Sequence, residues 1–305
     1  MANDFSGQIA TAYDRFWTNM MADVSSGLQF CTPRNDAVAS LKLTELRTGG
    51  SAGFQDWAAG GSLTPTDFLA VGNAAVTPSA FKKQMTISKY DAEDNPNVFA
   101  EIADRISMEA MYKFNSLAWA AIAAAYNTSH PNIGGKKIID SFSSPVSQTN
   151  KGTTALSLSS LQAARANRRL FKNHDDDLIP FQNFKLVVPP ALETVGKQLV
   201  YSPVYPNVAT NGGESDLSNT FAANDSDSGI IGCVTAPLLS DVTDWFLIAT
   251  DEALKPFWMW LRSPIEFSIT PDPQVQNFWI NCTFRALVVP KPAVECGIFG
   301  AIVAG

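Results

Sequence analysis

The stretch Asn95-Pro96-Asn97-Val98-Phe99-Ala100-Glu101-Ile102-Ala103-Asp104-Arg105-Ile106 decides the fold, and its pattern runs on to about Tyr126. Asparagine is a favourable cap and proline suits the first helical position, so the pair marks a helix start. Phe99, Ile102, Ile106, Ala110, Leu117 and Ala121 recur at spacings of three, four or seven and form one stripe. Met108, Tyr112, Trp119, Ile122 and Tyr126 form a second. A helix with two apolar stripes is covered on more than one side. At about 1.5 Å per residue, roughly 30 residues span about 45 Å, which reads as a spine rather than an ordinary domain helix.

Upstream, Asp67 to Val71 and Phe81 to Lys89 are strand-like, with Ala74 to Ser79 as a turn-rich connection, and together they predict a long two-stranded loop. An isolated hairpin is marginally stable in water, so it leans on another surface, and a neighbouring subunit is an economical candidate. The run from Gly49 to Gly61 is rich in glycine and alanine around a lone Phe54 and Trp57, the composition of a flexible excursion. Residues 1 to about 47 include amphipathic pieces such as Ile9 to Trp17 but no self-contained core, as in an arm that packs against something else.

Downstream, Ser159-x-x-Gln162 predicts a capping box for a second helix ending near Asn173, with Leu161, Ala164, Leu170 and Phe171 inward and Arg165, Arg168 and Arg169 wet. Phe184 to Val188 is a buried strand, and Pro189-Pro190 opens a short helix with Leu192, Val195 and Leu199 on one face. Residues 201 to 229, with Asn211-Gly212-Gly213, read as an exposed loop. Ile230 to Thr235, Asp244 to Thr250, Phe257 to Arg262, Ile265 to Ile269 and Gln276 to Val289 favour extended structure, so the class is α+β.

The 305 residues are 46% hydrophobic, enough to bury a core without an outside staple. A formal charge of -7 lacks the positive field of a phosphate-backbone binder, although a container for nucleic acid tolerates an acidic wall. The amino terminus has neither a basic start nor an apolar run, and Leu117 to Tyr126 is too short to span a bilayer, which together predict a soluble protein without a secretory signal. Cys31, Cys233, Cys282 and Cys296 are scattered and read as reduced, packed thiols.

Chemistry is sparse. His130 and His174 sit in polar stretches beside helix ends and read as solvated loop histidines. His174-Asp175-Asp176-Asp177 reads as a hydrated turn rather than a cation site. Asp225-Ser-Asp227-Ser-Gly229 begins like a calcium loop but has Ala236 where the closing glutamate belongs. Ser79-x-x-Lys82 lacks the companion elements of serine acylases. Trp245, Phe246, Phe257, Trp258, Trp260, Phe278 and Trp279 alternate with apolar residues, as core and interface side chains do, rather than forming a sugar platform. No cofactor or metal is expected.

The order of elements resembles the tailed-phage major capsid fold of the Hong Kong 97 type, which encapsulins share. The likeness is carried by Met85-Thr-Ile-Ser-Lys89 leading through Asp94-Asn-Pro96, by Phe184-Lys-Leu-Val-Val-Pro-Pro-Ala-Leu-Glu193 and by Asp244-Trp-Phe-Leu-Ile-Ala249. The last two are similar to Mu-like phage head subunits, where the segment after the spine also resembles His130-Pro131-Asn132. The resemblance implies an arm over 1–47, an extended loop over 48–94, a peripheral domain with the spine helix over 95–183 and an axial domain over 184–261. Residues 262–305 would hold the returning strands and the C-terminus.

It further implies a structural protein of the virion, made in the host bacterial cytoplasm, with no catalytic site and no membrane. Copies assemble as pentamers and hexamers into an icosahedral shell enclosing double-stranded DNA without sequence-specific binding. Scaffold, portal and possible decoration proteins are the implied partners, the scaffold being a separate chain. Tyr13, Phe16, Trp17, Phe54, Trp57, Phe68, Phe81, Lys82 and Lys83 are the candidate inter-subunit contacts. Some relatives cross-link a loop lysine to a neighbour's asparagine, but no matching motif accompanies Lys82 or Lys83. The alternatives are an encapsulin-like nanocompartment that holds cargo, and a soluble hydrolase or carbohydrate-binding enzyme built on the aromatic strands and His174 to Asp177.

Overall fold

The computed structural model describes residues 26–48, 68–95, 98–131, 135–142, 147–173, 177–201, 204–205, 217–218, 229–239, 241–272, 277–291 and 297–303. In chain order come strands β1 (Cys31–Arg34), β2 (Leu41–Thr48), β3 (Phe68–Val76) and β4 (Ser79–Ser88), then helices α1 (Lys89–Asp94) and α2 (Val98–Ala123). Strands β5 (Ser141–Phe142), β6 (Gln148–Thr149) and β7 (Lys151–Gly152) precede helix α3 (Leu158–Arg169), strand β8 (Phe184–Val188) and helix α4 (Glu193–Tyr201). Strands β9 (Val204–Tyr205), β10 (Leu217–Ser218), β11 (Ile230–Thr235), β12 (Trp245–Ala249), β13 (Phe257–Asp272), β14 (Asn277–Pro290) and β15 (Ile298–Ala301) complete the chain. Two compact units result: Met1–Leu41 with Val76–Ala121 and Trp258–Val289, and Lys42–Ala75 with Ile122–Phe257 and Pro290–Gly305.

The first unit is built on a four-stranded sheet in the order β1-β13-β14-β4. β4 and β14 run antiparallel through ten pairs, from Ser79 opposite Ala286 to Ser88 opposite Asn277. Period-2 alternation sorts their side chains. Ile87, Ile280, Cys282, Phe284 and Ala286 are buried, whereas Lys82, Gln84, Thr86, Thr283 and Arg285 face solvent. Against the apolar face lies α2, which buries Ile106, Ala110, Phe114 and Ala118 at every fourth position, with Trp119 beside them. The start of the described chain seats on the same helix: the Gly27 amide donates to Asn115 Oδ1 at 2.8 Å, and Phe30 meets Trp119 edge-on at 6.1 Å. Gly27 is small for a reason, since a Cβ there would lie 3.0 Å from the Trp119 ring.

Three expectations change in this unit. Asn95 is not the cap of the long helix: α1, capped by Ser88 accepting the Asp91 amide at 3.0 Å, comes first. Asn95 ends it through its own amide to Asp91 O, and α2 begins at Val98, whose amide bonds Asn95 O at 3.2 Å. The two strand-like runs do not form one hairpin either, because β3 pairs with β2 while β4 pairs with β14. The support for β4 is therefore a strand of its own chain almost 200 residues away, beyond the reach of local sequence reading. Finally, the second helical stripe is only partly covered: Trp119 and Ile122 are buried, but Met108 is 67% and Tyr112 61% exposed.

The second unit holds a five-stranded sheet in the order β11-β8-β12-β15-β7. β8 runs parallel to β11 and antiparallel to β12, and β12 runs antiparallel to β15. All five residues of β12 are buried, as in a strand covered on both faces. Leu161 and Phe171 share one core with Phe184, Leu186, Leu199 and Leu247. Helix α3 starts two residues earlier than predicted, with Ser157 and Ser160 forming the capping box instead of Ser159 and Gln162. It ends at Arg169, and Leu170 is exposed rather than inward.

Arg168, expected on the wet side, is 0% exposed, its guanidinium lying 4.1 Å from the ring centre of Phe171 and 4.4 Å from that of Phe181. A flat, weakly hydrated cation fits between two aromatic faces where an ammonium would not. His130, expected in solvent, is 5% exposed because residues 135–139 fold back over it: its amide donates to Lys136 O at 2.8 Å, and its ring stands edge-on to Phe142. His174 to Asp176, the Asp225 to Ser228 loop, Cys296 and the first 25 residues lie outside the described residues.

Phe114→Ala removes a wholly buried ring and is expected to cost about 3–5 kcal/mol, whereas Met108→Ala on the open stripe changes stability by less than about 0.5 kcal/mol. Urea unfolding followed by tryptophan fluorescence measures both; equal losses would mean that the buried face has been assigned wrongly.

Candidate assembly surfaces

Among the described residues no group of histidine, cysteine and carboxylate side chains is placed to hold a metal ion. Two of the perturbed carboxylates, Asp241 and Asp244, hold local backbone. The Thr243 amide and hydroxyl donate into Asp241 at 2.8 and 2.7 Å and hold that carboxyl below its usual range. Burial pushes Asp244 up, while the Val303 amide, donating to it at 3.0 Å, pulls the other way and ties the end of the chain to the head of β12. Burial pushes the Cys233 and Cys282 thiols up to about 11, so neither is an activated nucleophile. Of the aromatic run, Trp245, Phe246, Phe257 and Trp260 are buried as core. Trp258 carries the Arg34 guanidinium at 4.4 Å, and Trp279 is 38% exposed.

Surfaces hold more interest than pockets of reactive groups. β4 is the last strand of its sheet and has a paired neighbour on one side only among the described residues. Unpaired strand edges template association, and lysines on them discourage the indiscriminate kind. Beside that edge, between β4 and α2, opens a cleft of about 200 Å³ floored by Phe81, Ile106, Ala110, Cys282 and Phe284. Its rim is charged. Glu109 ion-pairs with Lys83, the Lys113 ammonium lies 5.0 Å from the Phe81 ring centre, and Lys82 borders the opening.

The alternation that builds this sheet explains why two neighbouring lysines do different things. Lys83 shares the inward parity of Phe81, Met85 and Ile87, opposite Cys282, so it crosses toward the helix and meets Glu109. Lys82 shares the outward parity of Gln84 and Thr86 and remains exposed.

Of the residues singled out by sequence, Phe81, Lys82 and Lys83 thus come together at one cleft. Phe68 opens β3. Tyr13, Phe16, Trp17, Phe54 and Trp57 lie outside the described residues. Sequence reading missed Glu109, Lys113 and Phe284, which complete the cleft from the helix and from β14; the matching alternation of β4 and β14 was the available signal.

A family model described as phage capsid protein matches residues 70–295. Among curated proteins none matches significantly. Solved structures share the fold at low identity. The capsid of a native GTA particle aligns with TM-score 0.57 at 10% identity, over 93% of this chain and 91% of that one. The mature capsid of bacteriophage PhiM1 aligns with TM-score 0.53 at 13% identity, over 93% and 88%. The capsid of cyanophage P-SCSP1u aligns with TM-score 0.53 at 12% identity, over 90% and 87%.

The raised thiols are open to direct measurement. At pH 8, Cys282 in the folded chain should react with iodoacetamide about a hundredfold more slowly than in urea, from its smaller thiolate population alone. The rate climbs with pH toward about 11. The fold holds a proton that the unfolded chain loses first, so this thiol's contribution to stability falls as pH rises through the unfolded value. Rapid labelling at pH 8, read by peptide mass spectrometry, would contradict the buried placement.

Proposed function

The chain belongs to the phage capsid protein family, and from that premise we propose that its copies close as pentamers and hexamers into the icosahedral head around the double-stranded DNA of a tailed phage. It is a structural capsid protein of the Hong Kong 97-type fold, and its place is the shell of the virion. The match over residues 70–295 carries this reading. The physical chemistry supports it. A charge of -7 repels phosphate from the wall, so enclosed DNA is held by confinement rather than by sequence-specific contact. The raised thiols and the enclosed His130 favour a chain without catalysis.

In this reading residues 1–47 form the arm and 48–94 the extended loop that lies over a neighbour. Residues 95–183 with 262–305 form the peripheral domain, and 184–261 the axial domain. Tyr13, Phe16, Trp17, Phe54, Trp57, Phe68, Phe81, Lys82 and Lys83 contribute the contacts between copies. A separate scaffold and a portal are its partners in assembly. Synthesis takes place in the host bacterial cytoplasm. The nearer likeness to Mu-like head subunits rests on Phe184 to Glu193 and Asp244 to Ala249.

Negative-stain microscopy and mass photometry of the purified chain should show pentamers, hexamers, tubes or shells. A strict monomer under every assembly condition defeats the reading. Deleting Gly49–Gly61 should leave circular dichroism unchanged while shells are lost; normal shells from the deletion variant would remove the loop from its bridging role.

A further inference from the structure

We propose that the phenol of Tyr201 and the ammonium of Lys185, which close over Gly232 on strand β11, form a binding site for a phosphate group, with Lys255 supplying a second positive charge. The site lies within the second unit and goes beyond the shell reading, which neither requires nor supplies it.

Strand pairing brings its parts together. Gly232 stands opposite Lys185, and Lys185 opposite Ile248, so the three share one face of the sheet. Tyr201 is the last residue of α4 and is 51% exposed. Its ring reaches the same place: a Cβ at Gly232 would meet Tyr201 Oη at 3.3 Å and Lys185 Cε at 4.0 Å. Because Gly232 has no side chain, nothing parts the phenol from the lysine. The Cys233 amide donates to Tyr201 Oη at 3.1 Å, which fixes the phenol and uses it as an acceptor. Its own O–H proton therefore turns away from that amide and can be given to a ligand oxygen.

The local charge asks for an anion. Burial, and then the nearby charge of Lys255, hold the Lys185 ammonium below its usual range, so the fold keeps two like charges close together in a half-buried place. The Lys255 side chain is only 15% exposed and pairs with Glu252, and Lys291 donates to the Glu252 carbonyl at 3.0 Å. Asp251 accepts from Asn183 at 3.1 Å, and Glu193 beside α4 is engaged by Lys197. Three lysines thus stand against Glu252 and Asp251, and the balance is positive. A phosphate suits this arrangement better than a carboxylate, because separate oxygens of a tetrahedral group can take the phenol proton and the ammonium proton from different directions.

Acetylation of amines by an N-hydroxysuccinimide ester, read lysine by lysine with peptide mass spectrometry, tests the site in the full-length chain. In a titration with inorganic phosphate against chloride of equal ionic strength, Lys185 should react about tenfold more slowly at about ten times the dissociation constant. The exposed Lys82 should not change. Tyr201→Phe removes the O–H donor, and Gly232→Val drives a branched side chain between phenol and lysine; each should abolish the protection, with circular dichroism checking that the variant is folded. Blunt duplex DNA without terminal phosphates, at the same phosphate content, separates the two sources of the group. Protection by the duplex assigns the site to a nucleic-acid backbone, and protection by inorganic phosphate alone assigns it to the free ion. Equal protection by acetate overturns phosphate as the ligand. Protection by neither phosphate source, or protection that persists in a folded variant, overturns the site, and none of these outcomes touches the shell reading.

Discussion

The first unit depends on one ring. Phe284 lies 5.1 Å from Phe81 across the β4–β14 ladder and 4.8 Å from Phe114 on α2. Three segments distant in sequence meet there, and closing chain loops of that size is entropically costly unless a large apolar contact results. The ten-pair register places Phe284 directly opposite Phe81. A slip of one residue would turn it outward and bring Thr283 or Arg285 to the helix, so burial of one ring and choice of register are the same event. The cleft follows from this contact, because its floor is the exposed flank of the same cluster.

The second unit solves its burial problem differently. β8 and β12 are enclosed on both faces, and α4 packs on β8 and β11. Its polar groups are drawn inward to hold the chain rather than to react. Trp245 Nε1 donates to Thr154 O at 3.0 Å, and the Asn150 amide nitrogen donates to Ile138 O and Ile298 O. Arg168 fills the space between two phenyl rings. Side chains committed in this way fix the path of the segments that cross the sheet.

Much of this was legible in the residues. The β-branched and aromatic residues of Gln276 to Val289 and of Asp244 to Thr250, with the stretch Phe184 to Val188, mark β14, β12 and β8, and the order of elements points to the family. Misreadings occurred where a local signal had a close competitor. Ser157 and Ser159 offer the same hydroxyl two residues apart, and only the capping geometry chooses between them. Asn95 reads as a cap until Ser88, seven residues earlier, starts a helix of its own. Arg168 and His130 carry no sequence mark of burial, because what covers them, Phe181 for one and residues 135–139 for the other, arrives from further along the chain. The partner of β4 was hidden for the same reason: pairing across almost 200 residues leaves no local trace beyond compatible alternation.

What a single chain leaves uncovered is where assembly physics begins. Met108 and Tyr112 stand open on a helix whose opposite face is fully packed, and Trp279 stands open on the outer face of the sheet. Each is tolerable alone, since folded proteins expose apolar atoms routinely. The edge of β4 differs because it combines a side unpaired among the described residues with an apolar cleft and a basic rim in one place. Backbone pairing alone would accept any extended chain, and the cleft alone any apolar side chain. The lysines add the discriminating element: they repel basic strands and reward an acid, so the edge becomes selective without becoming inert. A closed shell repeats each contact once per subunit, so a modest preference at such an edge is multiplied around every ring, and weak, selective contacts suffice where a strong one would trap misassembled copies.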